Sequence, residues 1–387
     1  MNEALEGSLY LGLPNIIGRN KKAMLGFIKN KVIARINSWD GKFLSRAGKE
    51  ILLKTVIQSL PTYAMSVFLL PLGTCKEIEK LMASFWWKTN SNKGRGIIWM
   101  SWDCLAIPKD EGGMGFRHLH DFNLAMLAKQ DWRLLCNPNS LVAKVYKAKY
   151  FPHTDFLSAK LGNNPSFVWR SIWGAQDVVR LGATRVIGDG TTTNILGTSW
   201  LPNVHNRCVS STHPGLQNNT VSSLMQMDNR DWDSEVILDL FPTHEADIIL
   251  GIHLTNTIRP DFCAYQLLQT EKPAVPTQNN SGFWRKFWHL KIPPKVLNLL
   301  WRAITDSLPT CVNLVTKYVP ISAQCPVCRT QPETAIHALV HCSFAADCWR
   351  SFGLPINAAA SSSFGGWFES LQQTGDNDQF GTKRILL

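Results

Sequence analysis

C-P-V-C-R-T-Q-P-E-T-A-I-H-A-L-V-H-C, residues 325–342, sets Cys325, Cys328, His337 and Cys342 in the spacing C-x2-C-x8-H-x4-C. Two cysteines two residues apart fold a tight turn around one cation, and thiolate and imidazole donors suit a metal that prefers tetrahedral sulfur and nitrogen ligands, Zn2+ first among them. The far end of the set is ambiguous by spacing. His337 and His341 are four residues apart and share a helix face, whereas His337 and Cys342, five apart, meet at one ion only where a helix ends or bends between them. His341 is therefore the alternative fourth ligand. Buried free thiols beside a core histidine are the alternative without metal.

Outward from this stretch, the cysteines point to a reduced, intracellular protein, in nucleus or cytoplasm. Ten are scattered along 387 residues and only 325 and 328 form a close pair, unlike the dense framework of a small secreted domain. The longest apolar run, 63–70, is bracketed by Pro61 and Pro71 and falls well short of the ~20 residues that span a bilayer. The opening M-N-E-A-L-E-G-S-L-Y has neither the basic head nor the apolar run of a secretory signal. No membrane association is expected.

Charge is uneven. The whole chain carries a net +11, and residues 1–150, with 22 Lys and Arg against 11 Asp and Glu, account for all of it. A basic half of this kind favours a polyanion, and nucleic acid is the commonest one. The competing reading is a solvated basic face that aids solubility.

Periodicity makes this half helical. Leu25, Ile28, Val32, Ile36 and Trp39 recur at helical spacing, flanked by Lys22 and Lys29 on one side and Lys31 and Arg35 on the other. A second helix is predicted over 46–60 with Ile51, Leu52, Val56 and Leu60 inward. A third starts at a Thr74/Glu77 capping box, with Ile78, Leu81, Met82, Phe85 and Trp86 inward. Short strands are expected around 94–102 and 111–116, with Gly112, Gly113 and Gly115 in a turn, since they lack the spacing of a phosphate loop. Helices follow over 121–135 and 141–150. Residues 183–187 and 191–196, flanking Gly188-Asp189-Gly190, predict a β-hairpin. The polar cluster 217–220 and the stretch 272–282 read as linkers. Beyond them, Val296, Leu299, Leu300, Ala303 and Ile304 form a helical stripe, and Trp288 and Trp301 are expected to pack around the metal module.

These observations predict a mainly α protein with small β elements: a basic helical N-terminal region (1–150), a mixed middle region with a hairpin (151–272), a linker (273–282), a helical zinc-binding module (283–352) and a tail (353–387).

Several stretches resemble a known family. Y-L-G-L-P at 10–14, G-R-N-K-K at 18–22, W-D-G-K-F-L-S-R-A-G-K-E at 39–50, P-T-Y-A-M-S at 61–66, G-G-M-G-F-R at 112–117 and F-N-L-A-M-L-A-K-Q at 122–130 resemble the post-palm region of plant LINE-type, non-LTR retroelement reverse transcriptases. K-I-P-P-K-V at 291–296, L-W-R at 300–302, L-P-T at 308–310, C-P-V-C at 325–328, E-T-A-I-H at 333–337 and H-C at 341–342 resemble that family's reverse-transcriptase zinc-binding domain.

The resemblance implies a thumb-like N-terminal region and a zinc-binding C-terminal domain. In such elements an endonuclease, fingers and a palm with metal-binding aspartates come first, and a ribonuclease H domain often follows. This sequence contains no Asp-Asp pair and no Y-x-D-D motif, so neither polymerase nor ribonuclease H catalysis is expected of it. It also departs from the family over 262–277, where relatives carry a G-x-Y-S-V-K-S-type strand. Lys22, Lys29, Lys31, Arg35, Lys42, Arg46 and Lys49 are the candidates to neutralise phosphates of RNA or an RNA:DNA hybrid. Other element-encoded proteins are possible partners if the module is instead an interaction surface. A decayed element's remnant is the reading without a molecular role.

Overall fold

The computed structural model describes residues 9–10, 13–14, 21–39, 44–88, 96–202, 207–226, 231–254, 261–265, 281–351 and 361–374. Among them the chain is mostly helical, and its β ladders are two antiparallel pairs, Leu9–Tyr10 with Leu13–Pro14 and Ala183–Val186 with Phe262–Tyr265. This is the mainly α architecture with small β elements that the sequence predicts. No helix among the described residues is long and apolar enough to cross a membrane. Two compact units divide the chain: Met1–Thr62, Leu70–Asp121 and Pro273–Leu387 form one, Tyr63–Leu69 and Phe122–Lys272 the other.

The first unit joins N-terminal helices to the segment that carries the Cys/His motif. Helix Lys21–Asn37 packs along helix Leu72–Trp87. Ile28 and Val32 are buried from one helix and Ile78 and Met82 from the other, and Lys29 pairs with Glu77 at 2.7 Å. That ion pair replaces the expected capping box: the helix begins at Leu72 after Pro71, Thr74 is buried within it, and Glu77 turns to Lys29. Helix Arg46–Leu52 is capped by Ser45 and runs on through a π-helical turn, Leu53–Ile57, ending short of the predicted residue 60.

Its inward face also differs from the prediction. Leu53 and Ile57 are fully buried, whereas Ile51 is 60% exposed. The inner row is Lys49, Leu53, Ile57, in steps of four, and Lys49 disguises it because a lysine stem can lie along apolar surface while its ammonium finds oxygen elsewhere.

Residues 96–118 contain no strand among those described; Trp102–Ala106 is a short helix capped by Ser101, and Lys109–Glu111 a single 3-10 turn. The glycines form the expected turn, and packing explains them. Gly112 has φ +96°, and a Cβ there would lie 2.7 Å from Trp284, while one on Gly113 would lie 2.0 Å from the Ile107 carbonyl oxygen. This bare backbone lets helix Ser281–Trp288 pack on the turn and lets Trp301 Nε1 donate to the Gly112 carbonyl at 2.9 Å. Trp301 and Trp288 thus belong to this aromatic contact, with Lys109 Nζ 4.5 Å from a Trp288 ring centroid, and not to the surroundings of the cysteines. Helix Pro294–Ile304 starts with proline in its first turn, where no backbone donor is needed.

In the second unit, Trp169 of helix Phe167–Trp173 packs with Leu134 of helix Leu119–Cys136 and Ala143 of helix Leu141–Tyr150 and stacks on Tyr150 at 4.6 Å between centroids, while Val179 of helix Gln176–Gly182 packs on Leu127 and Ala128. Buried Asn123 donates through Nδ2 to the carbonyls of Met65 and Phe68, fastening the 63–69 segment. A second core gathers Trp200, Leu216, Val221, Trp232, Ile237 and Ile249.

The expected hairpin does not form. Strand Ala183–Val186 pairs with Phe262–Tyr265, and residue 194 bridges to Thr220 instead. The turn at 188–190 is nonetheless tight, because the buried Asp261 carboxylate accepts N–H bonds from Gly188 (2.7 Å), Gly190 (2.9 Å) and Thr192 (3.2 Å) and hydroxyl bonds from Thr192 and Thr193. Those donors hold the Asp261 carboxyl below its usual range despite the opposing cost of burial. Residue 261 brings the distant strand with it, so the ladder is long-range. The strand over 262–265 also occupies the place where the sequence reading found none. The polar cluster 217–220 is no linker, since Ile195 N–H donates to the Asn219 carbonyl within the fold. Of the second expected linker, 273–280 lie outside the described residues and Ser281 opens a helix.

Candidate metal centre

The first two thiols are presented by a backbone knuckle. Arg329 N–H returns to the Cys325 carbonyl at 2.9 Å, Cys325 N–H donates to Gln331 at 2.8 Å, and a bridge joins Gln324 to Pro332. Backbone N–H groups of Cys328 and Val327 point at Cys325 Sγ. The hydroxyl of Thr330, 3.1 Å away, and the N–H groups of Thr330 and Gln331 point at Cys328 Sγ. Donors aimed at sulfur favour the thiolate, and they lower Cys328 to about 6, with His337 assisting, whereas at Cys325 the backbone donors are outweighed by burial and the thiols of Cys328 and Cys342, which raise it.

The knuckle needs a left-handed residue after its second cysteine, and Arg329 supplies it at φ +56°. A side chain in that region costs ~1 kcal/mol that glycine avoids. Arg329→Gly is expected to raise the denaturation midpoint of the zinc-loaded protein by the equivalent of ~0.5–1 kcal/mol. An unchanged or lower midpoint in urea would show that the strain is relieved elsewhere.

The second pair solves the spacing problem by changing the helix. Residues His337–His341 form a π-helical turn, and the N–H of Cys342 donates to the His337 carbonyl at 2.8 Å. An i→i+5 turn accommodates one residue more than an α-turn, and Cys342 is already extended (φ −60°, ψ 139°), so its thiol swings back to the imidazole. His341 is exposed and outside the cluster, as is Cys348. The alternative fourth ligand is therefore not the one the fold brings in.

The four candidate ligand atoms all lie within 4.8 Å of one another, and among the described residues they are the Cys, His and carboxylate group able to share an ion. Cys325 Sγ and Cys342 Sγ are 4.0 Å apart, and Cys328 Sγ and His337 Nε2 3.3 Å. Zinc bond lengths of 2.3 Å to sulfur and 2.0–2.1 Å to nitrogen give tetrahedral edges of about 3.8 Å (S···S) and 3.5 Å (S···N). The match is close, and 4.0 Å is twice a disulfide bond. Cys325, Cys342 and His337 are buried, and Ala345 and Trp349 pack against the sulfurs. His337 Nε2, beside Cys328 Sγ, is the nitrogen that faces the sulfurs, while the buried Nδ1 has no hydrogen-bond partner among the described residues. Four protein donors close a tetrahedral site, which suits structure rather than activation of a bound water.

The basic candidates scatter across different environments. Lys31 and Arg35 are exposed on helix Lys21–Asn37, with Lys31 Nζ 5.2 Å from the Phe27 ring centroid. Lys29 is half-exposed and engaged by Glu77. Lys49 is buried and donates to the carbonyls of Lys88 (2.6 Å) and Phe85 (3.3 Å), so it caps a helix C-terminus instead of facing a phosphate. Arg46 is half-buried over the rings of Trp86 and Trp87. Lys42 and the side chain of Lys22 lie outside the described residues. The burial of Arg46 and Lys49 had one sequence signal, their i−4 and i−7 spacing from Leu53.

Comparison with known proteins agrees with this geometry. Residues 263–349 match the family described as zinc-binding in reverse transcriptase. An "Uncharacterized mitochondrial protein" of Arabidopsis thaliana is 40% identical over 144 residues, 37% of this chain and 93% of that protein. A "Putative ribonuclease H protein" of the same plant is 27% identical over 359 residues, which cover 87% of this chain and 57% of that relative's length. The matched domain contains the whole Cys3His cluster, and the long alignment extends the likeness over most of the remaining chain. The chain belongs to the retroelement reverse-transcriptase family and carries its zinc-binding domain.

Proposed function

We propose that this chain is a zinc-binding, nucleic-acid-associated part of a non-LTR retroelement reverse transcriptase, without a catalytic centre of its own. The closed Cys3His cluster inside the matched domain carries the reading: it suits a structural Zn2+ that orders the residues around it. The excess of basic residues in 1–150 supplies the charge for RNA or an RNA:DNA hybrid, with Lys31 and Arg35 as exposed phosphate contacts. Such binding is weakly sequence-selective, since charge neutralisation reads the backbone and not the bases.

Fluorescence anisotropy with labelled RNA and RNA:DNA duplexes across a salt series tests this. Affinity is expected to fall steeply with salt, and Lys31→Glu with Arg35→Glu to weaken binding to all sequences alike and to flatten the log–log slope by about one per phosphate contact removed. Salt-insensitive binding, or none at low salt, refutes the nucleic-acid role. Primer extension and ribonuclease H assays are expected to show no turnover.

A further inference from the structure

The tryptophan end of helix Leu72–Trp87 gathers two arginines with no counter-ion among the described residues. Arg46, from helix Arg46–Leu52, lies over Trp86 and Trp87, its guanidinium carbon 5.6 and 5.7 Å from the ring centroids. Arg302, from helix Pro294–Ile304, lies over the same Trp87 ring at 5.6 Å. Both are half-buried, and desolvation lowers both, with the charge of Arg46 adding to the effect on Arg302. Like charges brought together out of water ordinarily come with an anion. Here none is present among the described residues. Glu50, one turn from Arg46, is committed to Lys54 (2.8 Å) and Lys109 (2.7 Å). Arg302 is held in place by two bonds from Nε and Nη2 to the Ser307 carbonyl, which use one edge of its fork. The Nη1 of Arg46 is buried with no acceptor among the described residues.

Packing on indole faces accounts for the position of the two guanidiniums but gives the buried N–H of Arg46 no acceptor. A tetrahedral oxyanion provides several acceptors at once and two charges to offset, and guanidinium is the side chain matched to it. We propose that Arg46 and Arg302 together take a phosphate group, and that in the nucleic-acid-associated protein it is a backbone phosphate. The source rests on the function proposed above; the site itself does not. Its two halves come from stretches far apart in sequence, one in the N-terminal helices and one in the zinc-binding domain, so a strand seated there touches both.

Two measurements on the full zinc-loaded chain separate the site from its source. In thermal melts at matched pH and ionic strength, inorganic phosphate is expected to raise the wild-type midpoint saturably above that in chloride. Arg46→Gln and Arg302→Gln should lose this shift while melting in chloride no lower than wild type, because a like-charge contact is relieved. Arg302→Lys, which keeps the charge without the fork, should fold as wild type and keep only part of the shift. With RNA, either glutamine variant is expected to flatten the salt slope by about one, and the double variant no further, since both arginines serve one phosphate. Wild-type protein that responds to phosphate but binds no RNA keeps the site, makes free phosphate its ligand and overturns the nucleic-acid reading. Variants that melt lower by the same amount in both buffers overturn the site, and variants that lose the phosphate shift but leave RNA affinity and slope unchanged overturn the backbone phosphate as its occupant.

Discussion

Cys325→Ser is expected to yield protein without stoichiometric zinc and without protease-resistant structure over residues 283–350. Cys325 is buried, shares the inner edge of the tetrahedron with Cys342 at 4.0 Å, and receives the N–H bonds of its own knuckle. A serine hydroxyl in its place stays protonated at neutral pH and is a poor ligand for zinc. In small zinc modules metal binding contributes roughly 10–16 kcal/mol at neutral pH, far more than the packing of Ala345 and Trp349 can replace. Chelation of the wild-type protein should reproduce the loss, and so should acidification, as protons compete for the thiolates and the imidazole. Cys348→Ser and His341→Ala serve as controls, because both side chains are exposed and neither belongs to the cluster. Metal analysis by mass spectrometry decides the matter: full zinc occupancy in Cys325→Ser would remove that residue from the site, and loss of zinc in His341→Ala would reopen its claim as fourth ligand.

The ligand set was legible because it depends on local spacing alone. C-x2-C is one turn of backbone, and the ambiguity between His341 and Cys342 was itself readable, since five residues do not fit one α-helical face. What spacing could not supply was the resolution, a π-helical turn over His337–His341 followed by an extended Cys342. The helices over 119–136, 141–150 and 294–304 were legible for the same local reason, their stripes and caps lying within each segment. Failures came where a partner is distant. Nothing in Ala183–Val186 announces that its ladder lies near residue 262, and Asp261 reads as one more surface acid until its five donors are in place. Long side chains concealed the remaining burial. Arg46 and Lys49 look like a solvated basic face, yet their charged heads lie over the rings of Trp86, Trp87 and Phe85, and only tertiary contact reveals it.

Asp131→Leu is the substitution expected to stabilise the chain most, and pH identifies the reason. Asp131 lies on helix Leu119–Cys136 with Leu127 and Ala128 a turn before it and Leu134 and Leu135 a turn after, and it is fully buried. Neither carboxylate oxygen has a hydrogen-bond partner among the described residues, and burial alone pushes its pKa up to about 8 from an unfolded value of 3.8. The folded state therefore keeps a proton that the unfolded state releases. Stability is greatest below the unfolded value, falls as pH rises from about 4 to about 8, and is flat once both states are ionised. One pKa unit corresponds to about 1.36 kcal/mol, so the loss by neutral pH is on the order of 4 kcal/mol, an upper bound once the surroundings relax. Leucine keeps the branch point at a larger volume, does not ionise and removes a buried polar group that costs ~1–3 kcal/mol even when neutral. The gain of Asp131→Leu over wild type should thus be smallest at pH 4, widen through pH 8 and then hold constant. Asp131→Asn should show the same widening from a lower baseline, since its amide stays unsatisfied. Urea midpoints at pH 4, 6, 8 and 9 measure both. A gain independent of pH would mean that the carboxyl is paired or hydrated, and a net loss in Asp131→Leu would mean that it anchors the helix through a contact as strong as the charge is costly.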